Sequence, residues 1–167
     1  MHRNESLRLK GYDYTNGAFF VTLITHNRLP LFGEIIDKEF INSEFGDILE
    51  KEWLLTGEMR PHFELDTYQI MPNHFHAIVF LYSDIEKKQE FKFTQKLVTK
   101  VGMGPKSGTL GTTLGIFKGA VTRKLNAARK TPGAPVWQAD YYERVIRNYE
   151  ALYRISQYIK NNPAKYK

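Results

Sequence analysis

The chain has no cysteine in its 167 residues. Disulfides, thiolate metal sites and cysteine nucleophiles are therefore excluded, and a reducing, cytoplasmic setting is the default expectation. Long apolar runs are also missing. None approaches the roughly 20 residues a membrane-spanning helix needs, so no membrane partner is expected. The opening MHRNESLRLK has no apolar segment behind its charges and does not read as a secretory signal. Internal repeats and domain boundaries are absent. The length suits one domain, residues 1–167, with a basic, glycine-rich insertion at about 83–113. The glycines around Lys106 do not make a Walker loop, because none directly precedes that lysine in the required pattern.

A composition of 42% hydrophobic and 14% aromatic residues is enough to build a core. The net charge is +6, and it is unevenly spread. From Lys87 to Lys130 there are eleven Lys/Arg and one acid, Glu90, so the rest of the chain is net acidic. A single basic segment of this kind suits a surface that meets phosphates, although a solvated insertion that aids solubility would look the same.

Phe19 to Thr25 is β-branched and aromatic and reads as a buried strand. Apolar residues at helix-like intervals predict a helix from about Glu34 to Leu55, with Gly46 as a possible interruption. Phe63–Met71 and His74–Tyr82, separated by Pro72-Asn73, predict an antiparallel hairpin. A helix is expected over Leu114–Arg129, with Ile116, Ala120, Val121, Leu125 and Ala128 inward. A strand is expected within Val136–Ile146, and a last helix from Tyr149 toward Asn161, stopped near Pro163. Without its last helix, the order β-α-β-β-α-β predicts an α+β fold, a ferredoxin-like split βαβ plait with an antiparallel sheet and helices on one face.

Two groups of residues carry candidate chemistry. In Met71-Pro72-Asn73-His74-Phe75-His76, strand geometry points both histidines to one face and Phe75 to the other. Two imidazoles so placed can share a divalent cation and leave positions open for substrate oxygens. A bare His-x-His is equally the mark of two surface histidines on an edge strand. In the last helix Tyr158 and Asn162 are four apart and would share a face. A protonated phenol is a weak nucleophile, so attack needs a base or a polarised phosphate. A helix stop and a packing tyrosine would leave the same trace.

Taken together, four stretches resemble the single-tyrosine HUH transposases, and within them the REP-associated tyrosine transposases. They are Arg8–Tyr14 leading into Phe19–Thr22, Met71–His76, Phe117–Thr122, and Trp137-Gln138 through Arg144–Asn148 to Tyr158–Pro163. They stand in family order and span nearly the whole chain. The stretch from Tyr82 to Gly111 is a departure, being long and glycine-rich for this fold.

The resemblance implies that His74 and His76 bind a metal, Mg²⁺ or Mn²⁺, with Asn162 as third ligand and Tyr158 as nucleophile. Many relatives use glutamine in the third place. It implies cleavage and rejoining of single-stranded DNA beside hairpins of the repetitive extragenic palindrome or transposon-end type, through a 5′-phosphotyrosine. A nucleoid-associated monomer or homodimer would do this. Lys118, Arg123, Lys124, Arg129 and Lys130 would track the phosphate backbone. About five neutralised phosphates give an expected salt slope of roughly −3 to −4. Arg144 is a further possible phosphate contact, Trp137 is expected in the core, and His2, His26 and His62 fit no ligand spacing. Tyr12, Tyr14, Tyr141 and Tyr142 could stack bases, with core packing as the commoner fate.

Two other readings compete. One is a non-catalytic single-stranded DNA- or RNA-binding ferredoxin-like module, which would not need His74, His76, Tyr158 and Asn162 together. The other is a hydrolytic metal-dependent phosphoesterase. In its two-histidine-motif form it would require a second His-containing motif, and the sequence has none.

Overall fold

The computed structural model describes residues 16–83 and 108–166. The elements run β1 (Gly17–Ile24), β2 (Gly33–Ile36), β3 (Glu39–Asn42), α1 (Glu44–Glu58), β4 (Phe63–Met71), β5 (His74–Leu81), α2 (Leu110–Ala128), β6 (Tyr142–Ile146), α3 (Tyr149–Lys160) and α4 (Asn162–Lys165). Four strands form one antiparallel sheet in the order β4-β5-β1-β6. With α1 after β1 and α2 after β5, this is the expected split βαβ plait. None of the described helices is long and apolar enough to cross a membrane.

Alternation along the strands gives the sheet two covered faces. Phe19, Val21, Leu23, Phe75, Ala77, Val79 and Leu81 point to the side that also buries Trp53 of α1 and Phe117 of α2. Trp53 lies edge-on to Phe75 and Phe117, with ring centroids 4.9 and 5.1 Å away. Aromatic pairs in this geometry add about 0.5–1.5 kcal/mol each beyond the area they bury. On the opposite face Ala18, Phe20, Ile78, Ile146 and Ile159 make a smaller layer under α3. Helices therefore lie on both faces, α1 and α2 on one and α3 on the other.

The helix expected over 34–55 is a hairpin followed by a helix. Asp37 and Lys38 take φ of 51° and 69°, the left-handed pair of a tight two-residue turn. They pair β2 with β3, placing Ile35 opposite Phe40. The helix begins only where Ser43 can cap it, its side chain accepting from Gly46 N–H. Gly46 does not kink α1; it lies buried in the first turn, where a Cβ would meet the Phe32 carbonyl oxygen.

In α2 the inward stripe is Leu110, Leu114, Phe117, Val121 and Leu125. Ile116 is instead 51% exposed and Ala128 is exposed. The helix starts four residues earlier than expected, at the Thr109 cap. Its apolar stripe is phased by Leu114 and Phe117, which a start at residue 114 leaves at the frayed end. The glycine-rich part of the insertion and the Arg8–Tyr14 stretch, including Tyr12 and Tyr14, lie outside the described residues.

Candidate metal and nucleophile site

The β4–β5 turn at Pro72-Asn73 is clamped from one side. Asn73 O accepts from Thr25 N–H at 3.0 Å and from Thr25 Oγ1 at 2.9 Å, and Pro72 O accepts from Phe32 N–H at 3.1 Å. Immediately after this fixed turn, His74 and His76 project from β5 with ring centroids 4.6 Å apart. Phe75 goes into the aromatic core on the other face, as strand geometry requires.

Cross-strand register builds a row of side chains around His76. Gln69 stands opposite it on β4 and Thr22 on β1, and Tyr142 of β6 stands opposite Thr22. His76 is buried, 5% exposed, and its Nδ1 lies 2.8 Å from Thr22 Oγ1. His74 Nδ1 lies 2.7 Å from Asn73 Oδ1, where an amide oxygen can only accept, so the imidazole donates. With both Nδ1 atoms engaged, Nε2 is the nitrogen that each ring has left for a cation. Protein partners on the second nitrogen are the usual way a ligating histidine is oriented.

Electrostatics favours the same role. Burial, with the Arg28 guanidinium nearby, pushes His74 down to about 4. Burial, with His74 beside it, pushes His76 down to about 3. Both rings are thus neutral at physiological pH, the form that binds metal. Among the described residues there is no cluster of three or more His, Cys, Asp and Glu that could hold an ion. A cation here would take its other ligands from an amide, a phenol, water or substrate oxygens. The donor chemistry fits a divalent metal: two adjacent neutral imidazoles, each with its Nδ1 beside a protein oxygen.

Tyr158 reaches this pair from the far end of the chain. Asn148 caps α3, accepting from Ala151 N–H at 2.8 Å, and the helix lays Ile159 into the far-face apolar layer. A hydrogen bond between Thr67 and Ser156, 2.9 Å, ties α3 to β4. Tyr158 is 46% exposed; its ring centroid is 5.5 Å from that of His76 and 6.2 Å, edge-on, from that of Phe20.

Asn162 does not share one continuous helix with Tyr158. α3 ends at Lys160, Asn161 caps it with φ −89° and ψ 2°, and Asn162 opens the separate α4, with Pro163 next. The proline ring forces the break. Asn162 is half-buried, and Tyr166 beyond it places its ring 6.3 Å from that of His74.

The basic residues of α2 divide into two sets. Lys118 Nζ donates to the carbonyls of Gln138 at 2.8 Å and Ala139 at 3.1 Å, and burial lowers its pKa. Lys124 is ion-paired with the buried Glu52. Arg129 donates to Asn126 Oδ1 and to the carbonyls of Ala134 and Pro135. These three bind the chain to itself, although Lys124 is still half exposed; Arg123 and Lys130 are exposed as well. Trp137 is in the core as expected, its Nε1 donating to Lys118 O at 3.3 Å. Sequence reasoning did not single out Thr22, Phe20 or Arg154, which surround Tyr158 and His76; strand register reveals the first two and helix phase the third.

No protein-family model matches the chain. An uncharacterized protein of Haemophilus influenzae is 33% identical over 165 residues, which cover 98% of this chain and 89% of that protein. Among solved structures, a REP-associated tyrosine transposase bound to a REP hairpin aligns with TM-score 0.57 and 18% identity, over 99% of this chain and 74% of that one. A second, from Deinococcus radiodurans R1, aligns with TM-score 0.45 and 20% identity, over 92% of this chain and 95% of that one, too distant to carry weight.

Proposed function

The chain belongs to the family of the Haemophilus influenzae protein and has the fold of a REP-associated tyrosine transposase, and from that premise we propose that it is a transposase-like DNA strand transferase. Its substrate is single-stranded DNA beside a hairpin, a reading supported by the solved transposase of this fold, which is bound to a REP hairpin. The observation that carries the reading is the meeting of Tyr158 with His76, 5.5 Å between rings, beside a second histidine that is also held neutral. A binding module has no need of that arrangement.

In the reaction, Tyr158 Oη attacks the scissile phosphorus. A phosphorus–tyrosine oxygen bond forms, the bond to the 3′ oxygen breaks, and that oxygen leaves as a 3′ hydroxyl with the proton given up by the phenol. A second 3′ hydroxyl later reverses the exchange. One phosphodiester replaces another, so no nucleotide cofactor is required. His74 and His76 would hold the divalent cation, Mg²⁺ or Mn²⁺, and Asn162 would be the third protein ligand. When bound, the ion supplies Lewis-acid polarisation of the phosphate and neutralises its charge. Thr22 and Asn73 keep the two imidazoles turned toward it. Nitrogen ligands are softer than magnesium prefers, so manganese would be expected to support the reaction well.

The test is a denaturing gel of the protein mixed with pooled single-stranded hairpin DNAs, with Mn²⁺ or EDTA, for wild type and Tyr158→Phe. A metal-dependent covalent adduct that disappears in the variant supports the reading. An adduct that persists in Tyr158→Phe removes the tyrosine, and salt-sensitive binding with no adduct in any metal favours the non-catalytic binding module.

A further inference from the structure

Beside Tyr158 lies a cleft of about 640 Å³, bounded by β1 and β6 below and α3 above. Its volume falls in the range of small-molecule pockets, about 300–1,000 Å³. The floor is aromatic. Phe20 lies at its base and meets Tyr142 nearly edge-on, 6.3 Å between rings at 70°. Tyr142 stands on the edge strand β6 and is 46% exposed. A phenol at such a place leaves a π-face available, with Phe20 as a backstop.

The walls carry positive charge. Arg144 is two residues along β6 from Tyr142 and points to the same face, and Arg154 lies one turn before Tyr158 on α3. No carboxylate lines the cleft. Arg154 is held only by Glu150, 3.3 Å away, in a pair whose side chains are 66% and 78% exposed. An exposed i,i+4 pair of this kind is weak and yields readily to a phosphate.

Resting on the proposed strand-transfer reading, we infer that this cleft holds the unpaired nucleotide joined to the scissile phosphate. Its base stacks on Tyr142 over Phe20, and its backbone phosphate lies between Arg144 and Arg154. Aromatic stacking with guanidinium neutralisation is how single-stranded DNA is held without base-pair readout. A cleft of this volume suits a single nucleotide, and its lining includes Tyr158 and His76 as well as Ala151 and Ile155 of α3.

The experiment is a fluorescence-anisotropy titration in EDTA with two labelled single strands, a 12-nucleotide oligothymidylate and the same backbone made abasic throughout. Wild type, Tyr142→Ala, Tyr142→Phe and Arg154→Gln are compared after their folding is verified by thermal melting. One stacked base is worth about tenfold in affinity. Tyr142→Ala is expected to lose about tenfold on oligothymidylate and nothing on the abasic strand. Tyr142→Phe should regain the loss, and Arg154→Gln should weaken both strands alike. Wild type that binds neither strand, a Tyr142→Ala variant that matches wild type, or one that loses equally on both strands would each overturn the inference. No covalent step occurs in EDTA, so this outcome is separate from the fate of Tyr158 on the denaturing gel.

Discussion

Thr22→Val is the sharpest probe of the histidine pair, because it removes one oxygen and keeps the shape of a buried side chain. Thr22 and His76 are 9% and 5% exposed, so the only water that could stand in for the lost hydroxyl is what the adjoining cleft admits. The 2.8 Å contact to Nδ1 would be left without a partner. An unsatisfied buried polar group costs about 1–3 kcal/mol, and for a chain of this size each kcal/mol lowers the melting midpoint by about 2–4 °C. The larger effect is on the cation. Thr22 Oγ1 is able to accept from Nδ1–H, which supports the tautomer whose Nε2 carries a lone pair, and loss of such a supporting contact weakens metal binding about 10–100-fold. Isothermal titration with MnCl₂ at neutral pH measures this directly, with Thr22→Ser as the variant that keeps the hydroxyl. The reasoning is refuted if Thr22→Val binds Mn²⁺ as tightly as wild type, or if Thr22→Ser is as weak as Thr22→Val.

Three further outcomes are expected. His74 and His76 have pKa values lowered from 6.5 to about 4 and about 3, so the unfolded chain takes up protons first as pH falls. The contribution is fully present above pH 6.5 and is lost on acidification, at up to about 1.4 kcal/mol per pH unit for His76 and less for the more solvated His74. Urea midpoints of metal-free protein should therefore drop below pH 6.5, and a His74→Phe/His76→Phe variant that drops as steeply would contradict this. Gly46→Ala forces a Cβ against the Phe32 carbonyl and should cost about 1–3 kcal/mol, the usual range for overpacking; an unchanged melting midpoint would show that the loop before α1 gives way. With Lys118, Lys124 and Arg129 engaged internally, the full five-phosphate slope is not expected from α2. Arg123→Gln with Lys130→Gln should lower the salt slope of single-strand binding by about 1.4, or about 0.7 for each phosphate. Lys124→Met should instead lower thermal stability, and a slope untouched by the double variant would remove this face from the interface.

The sheet was readable from the sequence because its strands obey a period of two and the Pro72-Asn73 turn divides them unambiguously. The β2–β3 hairpin was not. Ile36, Phe40 and Ile41 fall at helical intervals by coincidence, and the deciding feature is the left-handed backbone at Asp37 and Lys38, which neither residue type announces as glycine would. The His74–His76 pair was visible because strand parity alone puts two residues on one face. The supporting contacts of Thr22 and Asn73 depend on β1–β5 register and turn conformation, which no local pattern encodes. The α2 cations show what charge pattern leaves out: a helix surface reads as free for a ligand, although Lys118, Lys124 and Arg129 also have partners in Glu52 and the 134–139 carbonyls once the chain is folded.

Phe20, Ile78, Ile146 and Ile159 stand between the strands that carry the imidazoles and the helix that carries the phenol. Their combined thickness works as a spacer gauge, fixing how far Tyr158 stands off from His76. A methylene added or removed in this layer would move the phenol by a fraction of an ångström, and displacements of that order are enough to change reaction rates. On the proposed strand-transfer reading, homologues could therefore diverge in cutting speed while every reacting group stays the same. For the same reason, an α3 transplanted from a relative should work only if the shims beneath it come along.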